Sequence, residues 1–97
     1  MKTVLSAEAI EDLRDGFDFI AKDSPAAART FLLRILGAFD LLSSGIIRGR
    51  RATLPGRRHC HAWSVPPYWI YHVLAGRELR ILRVYHQARR PIDRRGL

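Results

Sequence analysis

The stretch that decides the fold is residues 79–91, which reads LRILRVYHQARRP. Its first half alternates with the period of two that is typical of a β-strand. Two sets of side chains are predicted to point to opposite sides: Leu79, Ile81, Arg83 and Tyr85 to one, and Arg80, Leu82, Val84 and His86 to the other. Because each set contains apolar residues, the strand is predicted to lie inside its sheet. Its end is expected to deliver four side chains to one small region, suited to catalysis or to charged docking: Arg83, Tyr85, His86 and Arg89.

The N-terminal half carries a helical pattern after a short β-type run at residues 2–5. Ser6 is predicted to cap a first helix, and Ser24 followed by Pro25 to start a second. The first helix is expected to bury residues at spacings of three and four: Ile10, Leu13, Phe17 and Ile20. The second is expected to bury Ala28, Phe31, Leu32, Ile35, Phe39 and Leu42. Gly45 is the predicted stop, so the two helices form a hairpin.

After the second helix the period changes from helical to two. Strands are predicted at residues 50–54, 58–65 and 68–74 and from Glu78 onward, joined by short turns into an antiparallel meander. The fold class is therefore α+β, of the type βααβββ, with three or four strands after the helical hairpin. The hairpin is expected to pack on one face of a small antiparallel sheet. Residues 1–97 make a single domain, and residues 89–97 are predicted to be a flexible tail.

The charge of +8 is distributed unevenly along the 97 residues. Residues 1–43 hold five Lys or Arg and seven acids, a net charge of −2, whereas residues 44–97 hold twelve Arg and two acids, a net charge of +10. Arginine suits bidentate contacts to carboxylate or phosphate, which indicates an acidic protein or a nucleic acid as partner. No apolar run approaches the ~18 residues of a membrane span. The single cysteine, Cys60, excludes an internal disulfide. A cytoplasmic protein is expected.

The residue types exclude several kinds of active site. His59 and His61 share a strand face, but Cys60 points away from them and no metal-ligand spacing appears, so neither a metal nor a cofactor is expected. The basic half has only Glu78 and Asp93 as acids, too few for paired-carboxylate catalysis. A metal-independent RNA-cleaving site stays possible. Its cations would be Arg57, Arg58, Arg83 and Arg89, and its proton-transfer group Tyr85 or His86. The same residues would serve equally as a docking patch for an acidic surface.

Five ordered motifs carry a family resemblance: LSAEA at 5–9, SPAAA at 24–28, LPG at 54–56, YWIYHV at 68–73 and ILRVYHQAR at 81–89. Over about residues 2–90 they resemble the RelE/ParE superfamily of type II toxins, and within it ParE. The resemblance implies a βααβββ fold and a hetero-oligomer with a ParD-like antitoxin, whose acidic C-terminal segment lies over the toxin. DNA would then be contacted only through the antitoxin.

The resemblance also offers two targets. ParE members are associated with inhibition of DNA gyrase and have no established catalytic residues, whereas RelE members cut mRNA on the ribosome. Where RelE members carry a lysine cluster, this sequence has Arg48, Arg50 and Arg51, and the RelE C-terminal helix with a tyrosine is not evident. Both departures favour gyrase.

Each of the two target hypotheses implies its own set of site residues. For a gyrase inhibitor the expected target or antitoxin surface is Arg50, Arg57, Arg58, Arg83, Tyr85, His86 and Arg89. In the alternative, a ribosome-dependent mRNA endoribonuclease, the catalytic residues are Arg58, Arg83, Tyr85 and His86. A third hypothesis is a non-toxic binding module with the same fold.

Overall fold

The computed structural model describes residues 1–56 and 58–88. The elements follow in the order β1 (Lys2–Leu5), α1 (Ala7–Ala21), α2 (Pro25–Ser44), β2 (Arg50–Leu54), β3 (Arg58–Val65), β4 (Tyr68–Ala75) and β5 (Glu78–His86). One five-stranded sheet has the order β1-β5-β4-β3-β2. The predicted α+β fold is confirmed, with four strands after the helices. The predicted tail, residues 89–97, lies outside the described residues.

The sheet is mixed because its two halves are connected differently. Strands β2 to β5 form the predicted antiparallel meander. Strand β1 lies parallel to the first half of β5, with Lys2 opposite Glu78 and Leu5 opposite Ile81. A parallel pair needs a long crossover, which the helical hairpin and the meander supply. Strand β5 is therefore interior, as the sequence predicted.

The predicted facing of β5 was correct only for its first half. The pairing with β4 skips one residue at Leu82, which forms a bulge. After the bulge Val84 joins Leu79 and Ile81 in the helix-facing core. Leu82 and Tyr85 pack on the other side of the sheet. The prediction that Val84 and Leu79 face different sides of the sheet was wrong. An inserted residue shifts the alternation of the side chains that follow it by one position.

Both predicted helix starts are confirmed by their capping hydrogen bonds. The Ser6 hydroxyl oxygen accepts from the backbone N–H of Ala9 at 3.0 Å, and Ser24 does the same for Ala27 at 3.1 Å. These bonds satisfy N–H groups that have no partner within the helix. Helix α2 ends at Gly45, as predicted. No helix in the described residues is long and apolar enough to span a membrane.

The helices bury one side of the sheet. The α2 stripe is confirmed, with Leu32 half-buried and the other predicted residues buried. In α1 the prediction for Ile10 was wrong: its side chain is 46% exposed, and Ala9 takes the buried position. The α1 stripe is centred on small residues, which bring the helices close. A methyl group on Gly16 would lie 3.0 Å from the Phe31 ring, so the ring would have to shift by a few tenths of an ångström to admit it.

Candidate functional site

Arg83 is bound by α1 at the open edge of β5. Strand β1 pairs with β5 only as far as Ile81, and α1 closes the edge beyond it. The Asp12 carboxylate accepts from Arg83 Nε and Nη2, each at 2.8 Å, and from the backbone N–H of Val84 at 2.9 Å. These hydrogen bonds from Arg83 to Asp12 raise the pKa of Arg83 above its ordinary value. Arg83, which the sequence placed in both candidate sites, is thus already paired with Asp12 within the fold.

A row of arginine and aromatic side chains covers the side of the sheet that faces away from the helices. The Arg50 guanidinium lies 4.9 Å from the centre of the Trp69 ring, and that of Arg83 lies 4.4 Å from the centre of the Tyr85 ring. The Tyr71 and Tyr85 rings meet edge to face at 5.8 Å. We call these five residues the arginine–aromatic face. Flat rings beside guanidinium groups suit contacts with carboxylates, aromatic groups or bases.

The structure divides the predicted site residues between the two sides of the sheet. Four share the side away from the helices: Arg50, Arg58, Arg83 and Tyr85. His86 lies on the helix-facing side, with its ring 5.0 Å from that of Tyr68 and nearly perpendicular to it. Arg57 and Arg89 lie outside the described residues. Tyr85 and His86, adjacent in sequence, therefore point to different sides of the sheet.

A cavity of about 270 Å³ at the edge of β5 brings both sides together. Its sheet wall contains Tyr68, Arg83, Tyr85 and His86, and its helix wall contains Glu8, Glu11, Asp12 and Asp15. Four carboxylates face one guanidinium, and that guanidinium is paired with Asp12. The cavity is thus acidic on balance, although it lies beside the basic half of the sequence. An acidic wall repels a phosphate group.

His86 is also engaged in a local hydrogen bond. Its Nδ1 atom accepts from the backbone N–H of Ala88 at 3.0 Å. A nitrogen that accepts carries no proton, so the neutral ring holds its proton on Nε2. Neither nitrogen then offers a free lone pair for removing a proton from a 2′-hydroxyl group. Two of the four residues of the endoribonuclease alternative, Arg83 and His86, are therefore already engaged in hydrogen bonds within the described chain.

The outer side of α2 carries a second apolar surface. Leu33, Leu36 and Leu41 are all exposed, the first to 69%. Gly37 lies among them, and a methyl group added there would meet nothing within 4 Å. We call these four residues the leucine face. Exposed leucines in one patch mark an interaction surface, and a glycine lets another helix approach closely.

Sequence reasoning missed the whole leucine face, and it also missed Trp69, Tyr71 and Asp12. Trp69 and Tyr71 have a usable signal, because alternation along YWIYHV places them on one side of the strand. The sequence around Asp12 contains no signal that it pairs with Arg83. Asp12 lies 71 residues from Arg83, and only the packing of α1 against the edge of β5 brings the two together.

Comparison with solved structures defines the class. The fold matches a chain of a structure described as the chromosomal ParDE TA system from P. aeruginosa, with a TM-score of 0.71 and 21% sequence identity. The match covers 89% of this chain and 95% of the other. The described elements thus adopt a ParE/RelE-like α+β fold.

Sequence comparison gives the family. The model described as the ParE toxin of the type II toxin-antitoxin system parDE matches residues 4–91. The chain therefore belongs to the ParE toxin family. It is also 36% identical over 88 residues to Toxin RelE2 from Caulobacter vibrioides, which covers 91% of this chain and 97% of that protein.

Proposed function

We propose that this ParE-family toxin arrests growth by binding and inhibiting DNA gyrase, and that a ParD-like antitoxin neutralises it. The observation that supports docking over RNA cleavage is the Asp12–Arg83 pair, because it occupies the cation that catalysis would need. The acceptor role of His86 Nδ1 supports the same conclusion. We assign target docking to the arginine–aromatic face, where Arg50 lies over Trp69 and has no ion-pair partner among the described residues.

Antitoxin binding is assigned to a different surface. The leucine face offers an apolar strip along a helix, which suits an amphipathic helix of the partner. An acidic segment following that helix would be attracted to the arginines of the sheet. The two surfaces lie on different sides of the molecule, since α2 packs on the side of the sheet opposite the arginine–aromatic face.

A paired assay in cells tests the target. The toxin is induced from a tight promoter while DNA-damage signalling and ribosomal mRNA cleavage are followed together. The proposal expects damage signalling with intact mRNA, and inhibition of supercoiling by purified gyrase when the purified toxin is added. Rapid mRNA cuts without DNA damage would instead establish the endoribonuclease alternative. That alternative is tested because the relative from Caulobacter is named Toxin RelE2.

Two substitutions separate docking from catalysis. Tyr85→Phe removes only a hydroxyl group, so docking expects unchanged toxicity, whereas catalysis by Tyr85 expects its loss. Trp69→Ala removes the ring under Arg50, so docking expects toxicity to fall by about tenfold or more, the usual cost of truncating an aromatic anchor. Arg29→Gln, an exposed change on α2, is the control. Toxicity abolished by Tyr85→Phe and unaffected by Trp69→Ala would refute the docking assignment.

Rescue by the antitoxin tests the leucine face separately. Leu33→Glu and Leu36→Glu should weaken rescue while leaving toxicity intact, because a charge is placed where an apolar helix is expected to dock. Leu74→Glu provides a matched control, since Leu74 is 53% exposed but lies on β4. Equal rescue of all three variants would remove α2 from the antitoxin interface.

A further inference from the structure

A groove at the β2 end of the sheet is lined mainly by residues that face the same way as the helices. Its volume is about 660 Å³, and its lining comes from β2, β3 and β4. Arg51 lies directly opposite His61 across the β2–β3 pair, and Thr53 lies opposite His59. Residues opposite each other share a side of the sheet. That side is the helix-facing one, because Trp63, two residues after His61, packs against the helix-facing core.

The groove collects one guanidinium and two imidazoles, and no acid lies in its described lining. These groups belong to Arg51, His59 and His61. An adjoining cavity of about 170 Å³ shares His61 and adds Arg48, again with no acid among the described lining residues. Within residues 1–56 and 58–88 the ion pairs are those of Arg80 and Arg83, so Arg48 and Arg51 take part in neither. Arg48 and Arg51 therefore bring positive charge to the two cavities without an ion-pair partner among the described residues.

A row of three residues runs across strands β2, β3 and β4 at this groove. Arg51 stands opposite His61, and His61 stands opposite His72, whose ring stacks on it at 6.0 Å. An anion beside this row would accept hydrogen bonds from the Arg51 guanidinium and from a ring N–H group of His61.

We propose that this groove binds a phosphate-class anion, a phosphomonoester or diphosphate, carried on an organic body of nucleotide size. The Arg51 guanidinium offers a planar fork of N–H donors, each imidazole offers at least one ring N–H, and Thr53 offers a hydroxyl. Phosphate has enough acceptor oxygens for donors from several directions. The volume lies in the range of small-molecule sites and exceeds what a bare phosphate fills. Leu74, half-exposed at the wall, supplies apolar contact for the body.

This site is independent of the proposed toxin surfaces. The arginine–aromatic face lies on the opposite side of the sheet, and the leucine face lies on the outer side of α2. A ligand in the groove would leave both uncovered, so its binding and the gyrase proposal can fail separately.

Titration of the full-length ¹⁵N-labelled chain tests the proposal, with inorganic pyrophosphate and a nucleoside 5′-diphosphate as probes at low ionic strength. The largest amide shifts should fall at residues 51–53, 59–61 and 74. Arg51→Gln should weaken binding of both probes by about tenfold or more, since a charge-assisted fork is lost. Arg29→Gln, the matched loss of one exposed arginine, should change it less than about twofold. Arg29 lies 13 residues before Leu42 on α2, about 20 Å from the groove end of that helix.

Each possible result of the titration either supports the proposed site or overturns it. Tighter binding of the nucleoside diphosphate than of pyrophosphate supports the organic body, whereas equal binding would overturn the organic body and leave only an anion site. Equal weakening by Arg51→Gln and Arg29→Gln would mean non-specific attraction and overturn the site. Shifts elsewhere, no binding at millimolar concentration, or occupation of the groove by a glutamate-rich peptide but by neither probe would overturn it too.

Discussion

Removal of the Asp12 carboxylate is the most informative perturbation of the fold. Asp12→Ala deletes three hydrogen bonds at once, two to Arg83 and one to the Val84 backbone. The side chains of Arg83 and Asp12 are 27% and 14% exposed, so this pair lies between the surface and buried cases. Exposed pairs contribute about 0–1 kcal/mol, whereas breaking a buried pair costs about 3–5 kcal/mol. We expect a loss of about 2–3 kcal/mol.

Thermal unfolding followed by circular dichroism measures this loss. For a chain of this size the melting temperature should fall by about 10–20 °C, at ~4–8 °C per kcal/mol. Asp18→Ala is the control, because it removes an exposed acid from the same helix and gains the same helix propensity. Asp12→Asn should lose less than Asp12→Ala, since its amide oxygen can still accept from Val84.

A double-mutant cycle isolates the contribution of the pair. Asp12→Ala, Arg83→Ala and the double variant should give a coupling energy of about 1–2 kcal/mol. The Val84 hydrogen bond is lost in both backgrounds and cancels. A coupling energy below about 0.3 kcal/mol, or equal losses for Asp12→Ala and Asp18→Ala, would refute the view that Arg83 is held by α1.

Three further perturbations address other parts of the fold. Burial lowers the pKa of His72, so below about pH 6.5 the unfolded chain binds a proton that the folded chain does not, and stability should fall by up to ~1.4 kcal/mol per pH unit. Melts between pH 7.5 and 5.5 should show a smaller slope in His72→Gln than in the wild type or in exposed His59→Gln. Ser6→Ala should cost about 1–2 kcal/mol in urea unfolding, because the hydroxyl caps α1 and donates to a β5 carbonyl at 2.8 Å. Gly49→Ala should abolish soluble expression, since the methyl group would lie 2.7 Å from a β3 carbonyl oxygen, whereas Gly37→Ala has room and should express normally.

The facing of side chains could be predicted wherever a single period held. The caps at Ser6 and Ser24, the α2 stripe and the four meander strands were all readable, because each depends on neighbours within a few residues. The second half of β5 was not readable, because the bulge at Leu82 depends on how β4 and β5 are paired. The prediction that Ile10 is buried was wrong for a related reason. Helix α1 turns its small residues Ala9 and Gly16 toward the core, because the close packing against α2 leaves little room for a larger side chain.

The candidate site shows the same division. Charge asymmetry and arginine content predicted a basic docking half, and the arginine–aromatic face carries three of the predicted residues: Arg50, Arg83 and Tyr85. The sequence could not show that the region around Arg83 has an acidic wall. That wall comes from α1, which belongs to the acidic half of the chain and packs against the end of β5.

By itself the sequence determined the α+β class, the order of the elements, the capping residues and the ParE resemblance, because local periodicity and ordered motifs record them. Tertiary structure alone decided three things. It paired Asp12 with Arg83 across 71 residues and separated Tyr85 from His86 onto different sides of the sheet. It also brought Arg51, His59 and His61 together in a groove whose described lining has no acid. Each depends on strand register or on helix docking, which are set by packing over the whole chain rather than by any local pattern.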